Sequence, residues 1–304
     1  MNNNKLSAHF ASLLGETGVL ENTDMSAHTT FKTGGTADLM LLPRTARELI
    51  AVLRLLRTAE VPYTVIGRGS NLLVSDNGLR GAIIKLSDGF DDVRIHQNIV
   101  TAQAGVCMKT LCMQTIRAGL CGLEFAGGIP GTLGGAVCMN AGAYTGEIKD
   151  SLVSVNVLDR NLTVQEIPAA ALELSYRKSA VSANDYIVLN ATFALDEGDS
   201  EISLAKMNDF NARRRSKQPL TYPSAGSTFK RPEGNYAGSL IEKCGLKGYE
   251  IGGAQVSHKH AGFIINTGTA CSRDIYELIL HVQKTVFAET GVELEPEVKF
   301  LGEF

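Results

Sequence analysis

No run of apolar residues in this chain is long enough to cross a bilayer. The longest, Leu49 to Leu56, is broken by Arg54 and falls far short of the roughly 20 residues a spanning helix needs. The six cysteines (Cys107, Cys112, Cys121, Cys138, Cys244, Cys271) form no CxxC pair, so neither a zinc site nor a disulfide framework is expected. They read as reduced thiols. The N-terminal MNNNKLSAHFASLL lacks an apolar core and a cleavage site of the secretory kind, so a cytoplasmic protein without membrane insertion is expected. No GxxxxGK[ST] occurs, which removes the P-loop class. A formal net charge of −3 gives no global attraction to nucleic acid, and none is expected as a partner. Tryptophan is absent too, without functional meaning. What remains is an ordinary soluble composition, 44% hydrophobic and 20% charged over 304 residues, enough for two or three compact units.

Glycine is what the chain does have, and it is concentrated. Between Gly127 and Tyr144 it reads GGIPGTLGGAVCMNAGAY, with no charged side chain. Such a run offers bare backbone rather than packing surface. Its glycines allow positive φ and close approach, so successive N–H groups can converge on an anion. Gly134-Gly135-Ala136-Val137 has the look of a helix start, a second source of phosphate-seeking amides. A second glycine turn, Gly67-Arg68-Gly69-Ser70-Asn71, lies between the apolar segments Val65-Ile66 and Leu72-Leu73-Val74. It is not the dinucleotide fingerprint of the doubly wound fold, because Leu72 stands where a third glycine is needed and a strand follows instead of a helix. Two loops of this kind suit one large ligand with a diphosphate.

Periodicity divides the chain. Leu6–Leu14 is spaced as a helix. Strand 37–42, a helix at 45–60 capped by Thr45, and strands 63–66 and 82–86 make a small βαβ unit. Short strands near Val93 and Val100 follow, then a helix at 107–118 and the glycine run. Strands at 152–158, 163–166 and 187–195 suit an antiparallel sheet. Acidic Asp196-Glu197-Gly198-Asp199 marks a boundary. Helices at 203–215 and 239–244, a strand at 262–266, a helix to Glu289 capped by Ser272, and a strand at 297–301 complete the reading.

Six segments in order, VIGRGSNLLVSD, FAGGIPGTLGGAVCMNAGAY, SYRKS, PSAGSTFKRP, GLKGYEIGGAQVS and LEPEVKFLG, resemble the UDP-N-acetylenolpyruvoylglucosamine reductase (MurB) family over nearly the whole chain. The first half resembles FAD-binding domains of the vanillyl-alcohol-oxidase type. The resemblance implies an α+β fold: a two-part FAD-binding region at 1–86 and 87–198, and a UDP-sugar domain at 199–304. It implies non-covalent FAD, NADPH as co-substrate, a UDP-sugar substrate, and a monomer or weak oligomer. NADPH would reduce the flavin, and hydride would pass from flavin N5 to the vinyl carbon of UDP-N-acetylglucosamine enolpyruvate, giving UDP-N-acetylmuramate for peptidoglycan.

By the same resemblance, FAD is held by Gly67, Arg68, Gly69, Ser70, Asn71, Gly127, Gly128, Ile129, Pro130, Gly131, Gly134, Gly135, Asn140, Gly142 and Ala143. Arg177 faces the substrate carboxylate or enolate, Ser227 donates the proton, and Glu297 supports the enolic oxygen. Taken singly, the three also fit a surface ion-pair arginine, a turn serine and an exposed strand carboxylate. Arg214, Lys217, Lys230 and His260 are the substrate-binding candidates, although cations in the Arg213–Lys217 run also suit a helix C-terminus. His258 and His260 lack a third ligand, so no metal is expected. Lys178-Ser179 runs almost directly into Tyr186-Ile187, as in the shorter type II members, which lack the insertion bearing a tyrosine lid.

Overall fold

The structure is a computed structural model that describes residues 3–304. Helix α1 (Asn3–Leu14) buries Leu6, Phe10 and Leu14, one face at a spacing of four. Strands β1 (Val19–Asp24) and β2 (Thr36–Leu41) precede helix α2 (Ala46–Thr58). The Thr45 side chain accepts from the Glu48 N–H at 3.1 Å, the expected N-cap. Leu49, Val52, Leu53 and Leu56 of α2 are fully buried. Then come β3 (Tyr63–Ile66), β4 (Leu72–Val74) and β5 (Leu79–Lys85). The sheet order is β1-β2-β5-β3, with β3 and β5 parallel. The simple βαβ reading is therefore corrected, because β5 lies between the two strands that α2 connects.

Strands β6 (Val93–His96) and β7 (Ile99–Gln103), helix α3 (Met108–Arg117) and strand β8 (Leu120–Cys121) lead into the glycine run. Within the run, helix α4 (Leu133–Cys138) is six residues long. Short β9 (Gly142–Ala143) and β10 (Gly146–Glu147) form a hairpin. Strands β11 (Leu152–Leu158) and β12 (Val164–Pro168), helix α5 (Ala180–Ala183) and strand β13 (Ile187–Ala194) follow. They build the five-stranded sheet β12-β11-β13-β7-β6, antiparallel throughout. The acidic segment is not a free turn. β14 (Asp196–Glu197) pairs with β8, after which α6 (Ser200–Lys217) begins earlier and ends later than its apolar spacing suggested.

Helix α7 (Ala237–Lys243), strands β15 (Glu250–Ile251), β16 (Ala254–Val256) and β17 (Ile264–Asn266), helix α8 (Ser272–Thr290) and strand β18 (Lys299–Leu301) complete the chain. Ser272 is not the cap of α8. Cys271 is the N-cap residue, and the Asp274 carboxylate accepts the Cys271 N–H at 3.0 Å. Ile275, Leu278, Ile279, Val282 and Val286 of α8 are all fully buried, as their spacing predicts. At about 1.5–3 kcal/mol per buried aliphatic side chain, this face dominates the C-terminal core.

The chain forms two compact units. One comprises the chain up to Leu20, Met40–Arg68 and Ala82–Arg213; the other comprises Glu21–Leu39, Gly69–Gly81 and Arg214–Phe304. The core of the second gathers Phe31, Leu73, Phe229, Ile241 and Val256 with the α8 face.

Candidate functional site

In the first unit the two glycine-containing loops touch. A Cβ at Gly67 would lie 2.2 Å from the Thr132 Oγ1. Contact this close requires glycine. Gly131 has φ +113°, again a conformation other residues avoid. Gly134 packs on Ala104, and its N–H is spent on the Ala104 carbonyl at 2.8 Å. The Leu133 N–H goes to the Val106 carbonyl at 2.8 Å. These amides are not free to bind a phosphate, contrary to the helix-start expectation. Gly135 differs. It is exposed, a Cβ there would meet only Thr132 Oγ1 at 3.9 Å, and its N–H has no hydrogen-bond partner among the described residues. The bare backbone of Gly135, with half-buried Gly128, Ile129 and Gly131 and exposed Pro130, fits a flavin dinucleotide. Arg68 is exposed and pairs with Asp88 at 2.9 Å.

Four candidates of the run serve the protein. A Cβ at Gly127 would strike the Met207 Cγ at 2.5 Å, so its lack of side chain admits α6. Gly142 and Ala143 form the β9–β10 hairpin, with Gly142 close against Glu147. Asn140 is buried in the left-handed region at φ +42°. Its Nδ2 donates to Glu147 Oε2 at 2.6 Å and to the Ser175 carbonyl at 3.3 Å, while its Oδ1 accepts the Lys149 N–H at 3.0 Å. Asn140 thereby fastens the Tyr176-Arg177 turn to the exit of the glycine run. A second tie runs from Ser179 Oγ to the Cys138 carbonyl at 2.7 Å. Arg177 itself is half-buried at φ +56°, its guanidinium 5.2 Å from the Tyr176 ring centre. Helix α5 follows it.

The same unit also holds a cavity of about 670 Å³, lined by Arg57, Tyr63, Val65, Cys138, Asp185 and Tyr186 among others. Arg57 donates to the Arg160 carbonyl at 2.6 Å and to the Tyr63 hydroxyl at 3.2 Å, and Arg160 pairs with Asp185 at 2.6 Å. The residues are scattered over some 130 positions, so no local motif could announce them.

In the second unit Gly69 is buried at φ +66°, and a Cβ there would lie 2.1 Å from the His28 carbonyl oxygen. The Gly69 carbonyl accepts the Thr30 N–H at 3.2 Å. Its glycine is demanded by this backbone crossing before any ligand is considered. Asn71 Nδ2 donates to the Glu297 carbonyl at 2.9 Å.

The Ser227 loop runs beside the segment carrying Glu297. Thr228 is fully buried; its carbonyl accepts the Glu297 N–H at 2.8 Å, and its N–H donates to the Gly262 carbonyl at 2.8 Å. Phe229 bridges Pro296. Ser227 is half-buried. Glu297 lies before β18, not within it, and is 8% exposed, so it is no exposed strand carboxylate. Ser227, Asn71 and Glu297 thus meet in one corner of this unit.

His260 belongs to the same corner through Gly262, whose N–H donates to His260 Nδ1 at 3.1 Å. Burial pushes its imidazole below the ordinary histidine range, so the ring is neutral at pH 7 with its proton on Nε2: a hydrogen-bond donor, not a cation. Lys230 forms an ion pair with Glu295. Arg214 Nε donates to Gln218 Oε1 at 2.8 Å, and Lys217 is exposed at the end of α6. The basic run does sit in the last turn of a helix.

Among the described residues no group of three or more His, Cys, Asp or Glu side chains is placed to hold a metal, and no helix is long and apolar enough to cross a membrane.

Comparison with known proteins agrees with both units. Residues 37–167 match an FAD binding domain, and residues 218–301 match the UDP-N-acetylenolpyruvoylglucosamine reductase C-terminal domain. The UDP-N-acetylenolpyruvoylglucosamine reductase of Clostridioides difficile is 45% identical across the full length of both chains. That of Caldicellulosiruptor bescii is 48% identical over 97% of this chain and 95% of its own. The crystal structure of the MurB enzyme from Thermus caldophilus superposes with a TM-score of 0.79 at 34% identity, covering 93% of this chain and 98% of that one. Similarity of this extent places the chain in the UDP-N-acetylenolpyruvoylglucosamine reductase family, with an FAD-binding domain joined to that family's C-terminal domain.

Proposed function

We propose that the protein catalyses the NADPH-dependent, FAD-mediated reduction of UDP-N-acetylglucosamine enolpyruvate to UDP-N-acetylmuramate, a step in peptidoglycan precursor synthesis, in the cytoplasm as a monomer or weak oligomer. The observation that supports this reading is the pinning of Thr228 between Gly262 and Glu297, which joins the backbone next to Ser227 to that of the buried Glu297. We assign 1–86 and 87–198 to the flavin and 199–304 to the UDP-sugar.

Bound FAD would supply the two-electron chemistry, accepting hydride from NADPH and passing it to the vinyl carbon. Gly131, Gly135 and the neighbouring backbone would hold its diphosphate. The cavity lined by Tyr63, Arg57 and Asp185 offers ring faces and hydrogen-bonding groups for its adenosine end.

Hydride arriving at the vinyl carbon leaves the adjacent carbon strongly basic. Even a hydroxyl can protonate such a centre if held in line, and Ser227 is that donor. Arg177 and Glu297 stabilise the charge that develops on the enolate oxygen. Arg214, Lys217 and Lys230 neutralise the UDP diphosphate, and His260 donates from Nε2. The Lys230–Glu295 pair involves a largely exposed carboxylate. Such pairs contribute about 0–1 kcal/mol, so a diphosphate can displace Glu295.

The test is direct. The purified protein is expected to be yellow, to release its flavin through a filter after denaturation, and to consume NADPH beyond the single equivalent that reduces its flavin only when the enolpyruvyl substrate is present. A colourless protein that takes up no added FAD, or NADPH consumption indifferent to that substrate, would overturn the reading.

A further inference from the structure

Asn71 belongs to the glycine turn expected to grip the flavin, yet its side-chain amide and its carbonyl both reach the C-terminal segment. Its side-chain Nδ2 donates to the Glu297 carbonyl at 2.9 Å, and its own carbonyl accepts the Lys299 N–H at 2.9 Å. Immediately beyond, β4 and β18 pair in parallel, from Leu72 opposite Lys299 to Val74 opposite Leu301. The Asn71 amide therefore extends that ladder by one rung, standing in for a backbone N–H. On the other side, the Glu297 N–H is taken by the Thr228 carbonyl at 2.8 Å.

Both main-chain polar groups of Glu297 are thus held, one by Asn71 and one by the residue after Ser227. Holding both fixes the backbone at residue 297 and with it the direction of the carboxyl-bearing side chain. Glutamate is long, so a loose peptide would let its carboxyl group wander by more than catalysis tolerates.

We propose that Asn71 is a positioning residue for Glu297, acting on the substrate half-reaction through the peptide it holds. The proposal rests on the catalytic role given to Glu297 above. Asn71→Asp keeps the size and removes the donor; Asn71→Ala serves as the second variant if the aspartate fails to fold.

Each is expected to slow flavin reoxidation by the enolpyruvyl substrate at least about tenfold. FAD affinity and bleaching by NADPH should change by less than about threefold. In a Glu297→Gln background the Asn71 substitution should add no further slowing, because a residue that acts through another is not additive with it. In the flavin-free protein, hydrogen exchange at the Glu297 and Val298 amides should rise about tenfold in the Asn71 variants.

Loss of FAD affinity with both half-reactions slowed would make Asn71 a flavin ligand and overturn the proposal. So would additive effects in the double variant, or unchanged exchange at residues 297–298. Slowing in Glu297→Gln with none in Asn71→Asp removes the Asn71 assignment alone. A normal rate in Glu297→Gln removes both it and the role given to Glu297.

Discussion

Ser227 is the residue on which the proposed chemistry turns, and the two half-reactions separate its role from a structural one. Reduction of bound flavin by NADPH needs no proton donor to the nicotinamide, whereas reduction of the enolpyruvyl group does need a proton. Ser227→Ala is therefore expected to leave bleaching nearly intact and to slow reoxidation by roughly the 10²–10⁴-fold typical of a lost general acid. Stopped-flow traces at the flavin band report each half separately. Equal slowing of both would mean a structural serine. Two glycines make a second test. Gly135 faces open space and Gly69 faces the His28 backbone. Gly135→Val should keep a near-normal melting temperature in the flavin-free protein while weakening FAD binding at least about tenfold. Gly69→Val should fail to fold, because φ is positive and the new side chain meets main chain. Thermal melts beside flavin titrations distinguish the two, and a well-folded Gly69→Val would contradict the crossing at His28. The sequence motif suggests that Gly69 serves the ligand first; the backbone of residue 28, 41 positions away, cannot be read from it.

At the scale of elements, α6 is held to the first unit by few contacts. Only Ser203 and Met207 of its residues are buried. Met207 seats on Gly127, Lys206 reaches the buried Glu124 carboxylate at 3.2 Å, and Phe210 stacks on Tyr144 with ring centres 4.5 Å apart. Gly127→Val is expected to lower stability by about 1–3 kcal/mol through overpacking. Because the obstructed atoms belong to a flexible methionine, Met207→Ala in the same chain should recover most of the loss. Denaturant melts of the single and double variants check this, and strictly additive losses would refute the contact. The element pattern itself was largely legible. The α2 and α8 faces, the strands at 152–158 and 187–194, and the Thr45 cap all follow from periodicity and capping chemistry. What failed was local too. Ser272 and Cys271 both precede an apolar face, and only the side chain of Asp274 at the third position decides which is the cap. The strand expected at 297–301 starts later, because Pro296 bridges Phe229 and the ladder with β4 begins at Lys299.

For the molecule as a whole, ligand binding and folding are linked. A cofactor that binds the folded chain and not the unfolded one stabilises it by about 2.7 kcal/mol at a hundredfold excess over its Kd. Flavin-free protein is therefore expected to melt several degrees below the FAD-loaded form, with the gap growing as FAD is added, and scanning calorimetry across a flavin series would show it. A melting point indifferent to FAD would contradict a resident dinucleotide. The sequence by itself determined which segments are helix, strand or bare backbone, because period, capping and glycine content act over a few residues. It also carried the family, because six ordered motifs survive in linear form. Only the tertiary structure decided which glycines lie against other protein atoms and which are left open, that β5 enters between β2 and β3, and that Glu297 is buried. It alone decided that Asn71 reaches a carbonyl 226 residues away. These are properties of contacts between distant segments, and the free energy of such a contact depends on a neighbour that no local stretch of sequence names.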